Sequence, residues 1–227
     1  MNFITHFALD LQSPSSYFTV GVAIPDLLPV AGRNIRLPFK KILNAYQPEP
    51  QVQDDWLMNG IIRHYYTDIA FHESEFFRTE REAIKPYLFQ LFKQSPDEKY
   101  FFLTHISVEL MLDRVLLKQD SALGTAYYAH FHNVDAAHTL SVLKPWTPQD
   151  ISPLHKTFTL FRDRAFVLDY VLNEPFFYAW QRTVQRAGIT SAQSLDSTAF
   201  HAILEPYEAD LSQRMHLLFT EMQSRLP

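Results

Sequence analysis

Three ionisable side chains, His64, Asp68 and His72, recur at four-residue intervals in GIIRHYYTDIAFHES, Gly60 to Ser74, a stretch that is otherwise largely apolar and aromatic. A four-residue step on an α-helix turns the chain by about 400°, so the three side chains drift by only about 80° in total and share one face. Ile61, Ile62, Tyr65, Ile69 and Phe71 make the rest of the helix apolar nearly all round, the pattern of a buried helix. Imidazoles and carboxylates inside a core are costly unless paired, hydrogen-bonded or bound to a cation. The stretch THISVELMLDRVLL repeats the arrangement with His105, Glu109 and Asp113. Two apolar helices, each with an acid and imidazole stripe, are expected to face each other.

The chain has 227 residues with 5 Gly, and long apolar-periodic runs dominate it with no period-two alternation between turn signals. This predicts an all-α protein of about 8 to 10 helices. The length favours a single domain, residues 1–227, with two helical lobes as the alternative. The 14 Pro are then expected to mark helix starts and loops. No apolar run reaches the roughly 18 to 20 residues that span a bilayer, and the N-terminus lacks the pattern of a signal peptide, so a cytoplasmic protein without membrane partners is expected. With 0 Cys, disulfides, thiolate nucleophiles and cysteine zinc sites are excluded. Any metal site must combine His nitrogen with Asp or Glu oxygen. A net charge of -5 argues against nucleic acid as a partner.

NFITHFALDLQ predicts a short helix over residues 2–12 with Asn2 as N-cap. Its His6 is either a hydrogen-bonded core residue or a ligand. SYFTVGVAIPDLLP is broken by Pro25, so that Asp26 follows a kink or opens a new turn, as a helix cap or as a functional acid. Arg33, Arg36, Lys40 and Lys41 gather in GRNIRLPFKK, either a solvated loop and helix start or an anion-docking patch. YQPEPQVQD reads as a polar linker, and TEREAIKPYLFQLFKQ as a helix interrupted near Pro86. SPDE, Ser95 to Glu98, has the form of a capping box opening the second stripe helix, which should run to about Lys118. His130, His132 and His138 read as structural or surface residues. WTPQD should start a helix near Pro148 that carries Phe158, Phe161, Phe166 and Leu168 toward the core. Asn173 should cap a helix ending at Gly188, and a last helix should occupy about 196–225, bent or interrupted near Pro206.

Four of these segments resemble the acyl carrier protein phosphodiesterase family, a divergent relative of HD-domain metal phosphohydrolases. MNFITHF is similar to that family's MNFLAH-type opening, and VGVAIPDLL to its GNLxADF segment. GIIRHYYTD resembles GIxxHRxID, and ISVELMLDRVL follows ITLDVMWDHFL in the positions of both acids. The motifs cover the first half of the chain in order and spacing, while the second half is similar only in helical layout and in aromatic and arginine content. His72 stands where the family has an acid, His105 where it has an apolar or small residue, and Arg63-His64-Tyr65 replaces its HR pair.

The resemblance implies an HD-domain-like helical fold and a divalent cation, Mn²⁺ or Mg²⁺, surrounded by His6, Asp26, His64, Asp68 and Asp113. His72 and His105 would shift the ligand set toward Fe, Ni or Zn, which imidazole suits. One internal cavity is expected to collect His64, Asp68, His105, Glu109 and Asp113, with His6 and Asp26 at its edge. Two ions about 3.5 to 4 Å apart would clamp both oxygens of a phosphodiester. Hydrolysis by water acidified by the cation would then use Asp26 or Glu109 as proton acceptor, with Arg63 or the basic segment on the phosphate. The family's substrate is the phosphopantetheine arm of an acyl carrier protein, an acidic partner for which Arg33, Arg36, Lys40 and Lys41 form a docking patch. Two other classes fit the same residues: an HD-like diiron oxygenase, and a non-catalytic helical protein whose stripes are satisfied by hydrogen bonds.

Overall fold

A computed structural model describes residues 1–13, 15–46, 53–92 and 100–226. All regular structure among them is helical, as the periodicity predicts. The α-helices are α1 (Phe3–Leu9), α2 (Ser16–Ala31), α3 (Phe39–Ala45), α4 (Gln53–His72), α5 (Glu75–Phe92), α6 (Tyr100–Gln119), α7 (Ser121–His132), α8 (Ala136–Leu143), α9 (Ser152–Arg164), α10 (Asn173–Arg186) and α11 (Ser197–Arg225). That exceeds the expected number partly because residues 121–143 form two helices: the Asp135 carboxylate accepts from Ala137 N at 2.7 Å and His138 N at 3.3 Å, starting α8 anew. Among the described residues, no helix is long and apolar enough to cross a membrane. The capping box at Ser95 to Glu98 and most of the 46–54 linker lie outside the described residues.

The chain divides into two compact units: a first of His6–Ile69 and Ala122–Phe166, and a second of Met1–Thr5, Ala70–Ser121 and Val167–Pro227. In the second, α5, α6, α10 and α11 pack on one another. Arg114, only 2 % exposed, is tied into this unit. Its guanidinium donates to Glu208 Oε2 at 3.0 Å, to the Tyr170 carbonyl, and to Asn173 Oδ1 at 2.6 Å, and lies 4.8 Å from the Phe176 ring centre. A buried guanidinium is tolerable only when its donors are met in this way. Asn173 therefore serves Arg114 instead of capping α10; the N-cap position is Leu172, which makes no side-chain cap.

In the first unit, α2 and α8 pack against α9, over an aromatic cluster in which Phe131 lies 5.0 Å from Phe161 and 5.4 Å from Phe158. α9 starts at Ser152, four residues later than Pro148, because Asp150 accepts from Ser152 N and Oγ and Pro153 sits at the first turn. Ala165, with φ 44°, ends α9 in a left-handed turn, so Phe166 and Leu168 fall in a 3-10 segment, and Phe166 is 38 % exposed. The prolines do not behave as breaks. α2 runs through Pro25 and Pro29, α5 through Pro86 and α11 through Pro206. An interior proline costs about 3 kcal/mol. Burial of Val20, Val22, Ile24, Leu27 and Leu28 on α2, roughly 1.5 to 3 kcal/mol each, more than offsets its two prolines. α4 is not apolar all round either: Tyr66 and Ile69 are 42 % and 46 % exposed.

α2 meets α4 through glycine. A Cβ on Gly21 would lie 2.1 Å from the Leu57 carbonyl oxygen, and one on Gly60 would lie 2.1 Å from that of Phe18. The helices touch backbone to backbone, which no residue with a side chain permits. Gly60→Ala gains about 1 kcal/mol of helix propensity but forces a clash with backbone that cannot rotate away. We expect a net loss of about 2 to 3 kcal/mol in urea unfolding, and a Gly60→Ala chain as stable as the parent would contradict this contact.

Candidate metal centre

His6, Asp26, His64 and Asp68 converge in the first unit. His6 stands on α1, Asp26 on α2, and His64 and Asp68 one turn apart on α4. The glycine contact sets Asp26 beside His64: their Oδ1 and Nε2 are 4.0 Å apart. His6 Nε2 lies 3.1 Å from Asp68 Oδ1, and His64 Nε2 lies 3.4 Å from Asp68 Oδ2. The two imidazoles stack with centroids 4.3 Å apart at 26°. Ligand atoms about 2.1 Å from a common cation would be about 3.0 to 3.4 Å from one another in octahedral or tetrahedral geometry. His6, Asp26 and His64 offer atoms that all lie within 4.8 Å of one another, and Asp68 sits at ligand spacing from both imidazoles. The set fits a divalent cation with small side-chain adjustments.

Burial and charge divide the four. The imidazole side chains are 2 % and 3 % exposed and the carboxylates 24 % and 27 %, so the histidines form the floor and the acids the rim. Burial, reinforced by the His64 imidazole alongside, pushes His6 down to about 3, which leaves it neutral with a lone pair to offer. For His64 burial acts the same way, but Asp26 and Asp68 outweigh it and hold the ring above its ordinary value. Asp68 is held well below the usual carboxylate range against its own burial, the His64 charge and hydrogen bonds with His6 and His64 contributing. Nδ1 of His6 and of His64 is buried without a hydrogen-bond partner. No neighbouring acceptor fixes either tautomer, so what Nε2 meets decides it.

Tyr65 borders this centre, although the sequence marks it only as an apolar core position. Its ring is 5.5 Å from His64, and its hydroxyl is pushed up to about 12 by burial, with Asp26 and Asp68 adding. The hydroxyl lies 3.4 Å from the Leu37 carbonyl oxygen, and the Phe39 ring stacks on Tyr65 at 4.5 Å. The segment carrying Arg33, Arg36, Lys40 and Lys41 is thereby packed on the edge of the centre, and all four basic residues are exposed. Arg63 is committed elsewhere: it meets Asp10 through Nε at 3.0 Å and Nη2 at 2.9 Å.

Within the second unit the second stripe gathers a group of its own. Glu109 Oε1 lies 3.0 Å from His105 Nε2 and 3.2 Å from His72 Nε2, with the Met1 nitrogen at 2.8 Å. Burial would raise the Glu109 carboxyl, but the Met1 amino group and the two histidines hold it well below its usual range. Asp113 belongs to neither group. It is fully buried and accepts at Oδ1 from Thr5 N at 2.8 Å and Thr5 Oγ1 at 2.7 Å. Compared with known proteins, the chain matches no family model, no curated protein and no solved structure.

Burial raises the Asp113 carboxyl to about 7, only partly countered by its bonds from Thr5. The native state therefore binds a proton that the unfolded chain releases near pH 4, and this contribution is present below that pH and lost as pH rises toward 7. In metal-depleted protein, Asp113→Asn keeps the acceptor for Thr5 and removes the titration. The variant should gain on the parent by up to about 4 kcal/mol between pH 4 and 8 in urea unfolding, and a constant difference would refute the assignment.

Proposed function

We propose that the chain is a divalent-metal-dependent phosphodiester hydrolase whose centre is His6, Asp26, His64 and Asp68. The observation that carries this reading is the convergence of two buried imidazoles and two more exposed carboxylates, with His–Asp separations of 3.1, 3.4 and 4.0 Å. A cation held there would supply Lewis-acid polarisation of a phosphoryl oxygen and acidify water. His6 and His64 would hold it through buried imidazoles and Asp68 through a more exposed carboxylate. Asp26, one-quarter exposed and 4.0 Å from His64 Nε2, is placed to accept the proton of the attacking water. Tyr65, protonated at neutral pH, offers a hydroxyl beside the acids, and Arg36 brings positive charge to the same edge.

The resemblance to acyl carrier protein phosphodiesterases supplies the finer reading: the diester joins phosphopantetheine to an acidic helical carrier. With Arg63 paired to Asp10, the charges left for such a partner in this region are Arg33, Arg36, Lys40 and Lys41. The contacts of Leu37 and Phe39, in the same segment, with Tyr65 support docking on the same side as the centre.

Asp26→Asn and Asp68→Asn should each lower hydrolysis of bis(p-nitrophenyl) phosphate, with Mn²⁺ or Mg²⁺ present, by at least about 100-fold while far-ultraviolet dichroism is kept. Full turnover in either variant removes the assignment. For the partner, Lys40→Glu with Lys41→Glu should slow phosphopantetheine release from holo-carrier protein at low salt, with a defect that shrinks as salt rises. Cleavage of the small diester should stay unchanged. Native carrier turnover in the double variant at low salt would leave only the general hydrolase.

A further inference from the structure

His72, His105 and Glu109 form a group by themselves within the second unit. His105 precedes Glu109 by one turn of α6, and His72 is the last residue of α4. Their Nε2, Nε2 and carboxylate atoms all lie within 4.8 Å of one another, and each nitrogen is 3.0 to 3.2 Å from the same oxygen, Glu109 Oε1. The Met1 nitrogen makes a third nitrogen on that oxygen, at 2.8 Å. Such crowding on one acceptor leaves little angular room for good hydrogen bonds, whereas a cation among the three side chains would use the imidazole lone pairs and the carboxylate together.

The surroundings favour that use. The two rings lie 4.6 Å apart, and Phe77 stands 5.1 Å from each, with Phe71 5.5 Å from His72 and Phe102 6.1 Å from His105. This apolar collar limits ring rotation and lowers the dielectric on one side. The other side is open: the side chains of His72, His105 and Glu109 are 33 %, 21 % and 17 % exposed, enough for an ion to enter and retain water. We infer that His72, His105 and Glu109 form a second divalent-cation site, of two histidines and one carboxylate with open coordination positions. Such a donor set selects Zn²⁺, Fe²⁺, Co²⁺ or Ni²⁺ over Mg²⁺ or Ca²⁺.

The test is titration of the metal-depleted full chain with Co²⁺ and with Zn²⁺, by calorimetry and by the visible absorption of bound Co²⁺. His105→Gln keeps a donor for Glu109 while removing the imidazole, and His72→Gln provides an independent variant. Each should weaken one class of binding at least about tenfold, by the loss of one of three ligands, without changing the dichroism. Excess Mg²⁺ should not displace the ion. Asp26→Asn should leave this class intact and affect only the other centre. Unchanged affinity and stoichiometry in both glutamine variants would overturn the proposal, as would displacement by Mg²⁺. Binding sensitive to His105 but not to Asp26 would uphold this site even if the hydrolytic centre failed.

Discussion

The contact of α2 with α4 through Gly21 and Gly60 is the constraint on which the candidate centre depends. Asp26 lies five residues beyond Gly21 and His64 four beyond Gly60, so the separation of the helix axes sets the distance between acid and imidazole. Ordinary helix packing, with side chains between the axes, holds them about 8 to 10 Å apart. With backbone against backbone the axes come closer, and short side chains such as Asp can meet a histidine across the gap. The prolines in α2 fit the same requirement: the helix continues through Pro25, and Asp26 keeps a helical position fixed relative to Gly21.

The electrostatics of the first unit follow from that geometry. Two imidazoles stacked at 4.3 Å cannot both carry charge inside a core, since each protonation would be opposed by burial and by the other ring. Two carboxylates at the rim resolve the conflict unequally. Asp26 and Asp68 keep His64 above its ordinary value, and His6 remains neutral. The acids that favour the His64 proton would equally favour a divalent cation in its place. The arrangement is poised for exchange of a proton by a metal, which is why metal affinity here should rise with pH.

Much of this was legible in the sequence. The four-residue spacing correctly made the two stripe stretches helical, and His64 and Asp68 do meet. The meeting of His105 and Glu109 one turn apart followed from the same periodicity. What spacing could not encode is which helix each stripe faces: His64 and Asp68 meet α1 and α2, while His72, one turn further along α4, meets Glu109 of α6. The pairing of Arg63 with Asp10 was equally hidden, because two exposed-looking charges 53 positions apart carry no sequence signal for each other. Proline misled for a physical reason. Its local cost of about 3 kcal/mol is visible in a sequence, whereas the tertiary burial that offsets it is not. Asn173 misled because its side chain can serve a helix N–H or a guanidinium, and only the fold brings Arg114 to it.

Tyr65 shows how a residue counted as core can organise a site. Its ring gives Phe39 a surface to stack on, and its hydroxyl reaches toward Leu37, so the segment between α2 and α3 is tied down beside the acids. Without that anchor four cations in nine positions would repel one another and spread into solvent. Anchored, they concentrate positive potential within about one Debye length of a centre whose own rim is anionic. Tyr65 itself stays neutral at this edge, its proton held first by burial and then by the charges of Asp26 and Asp68.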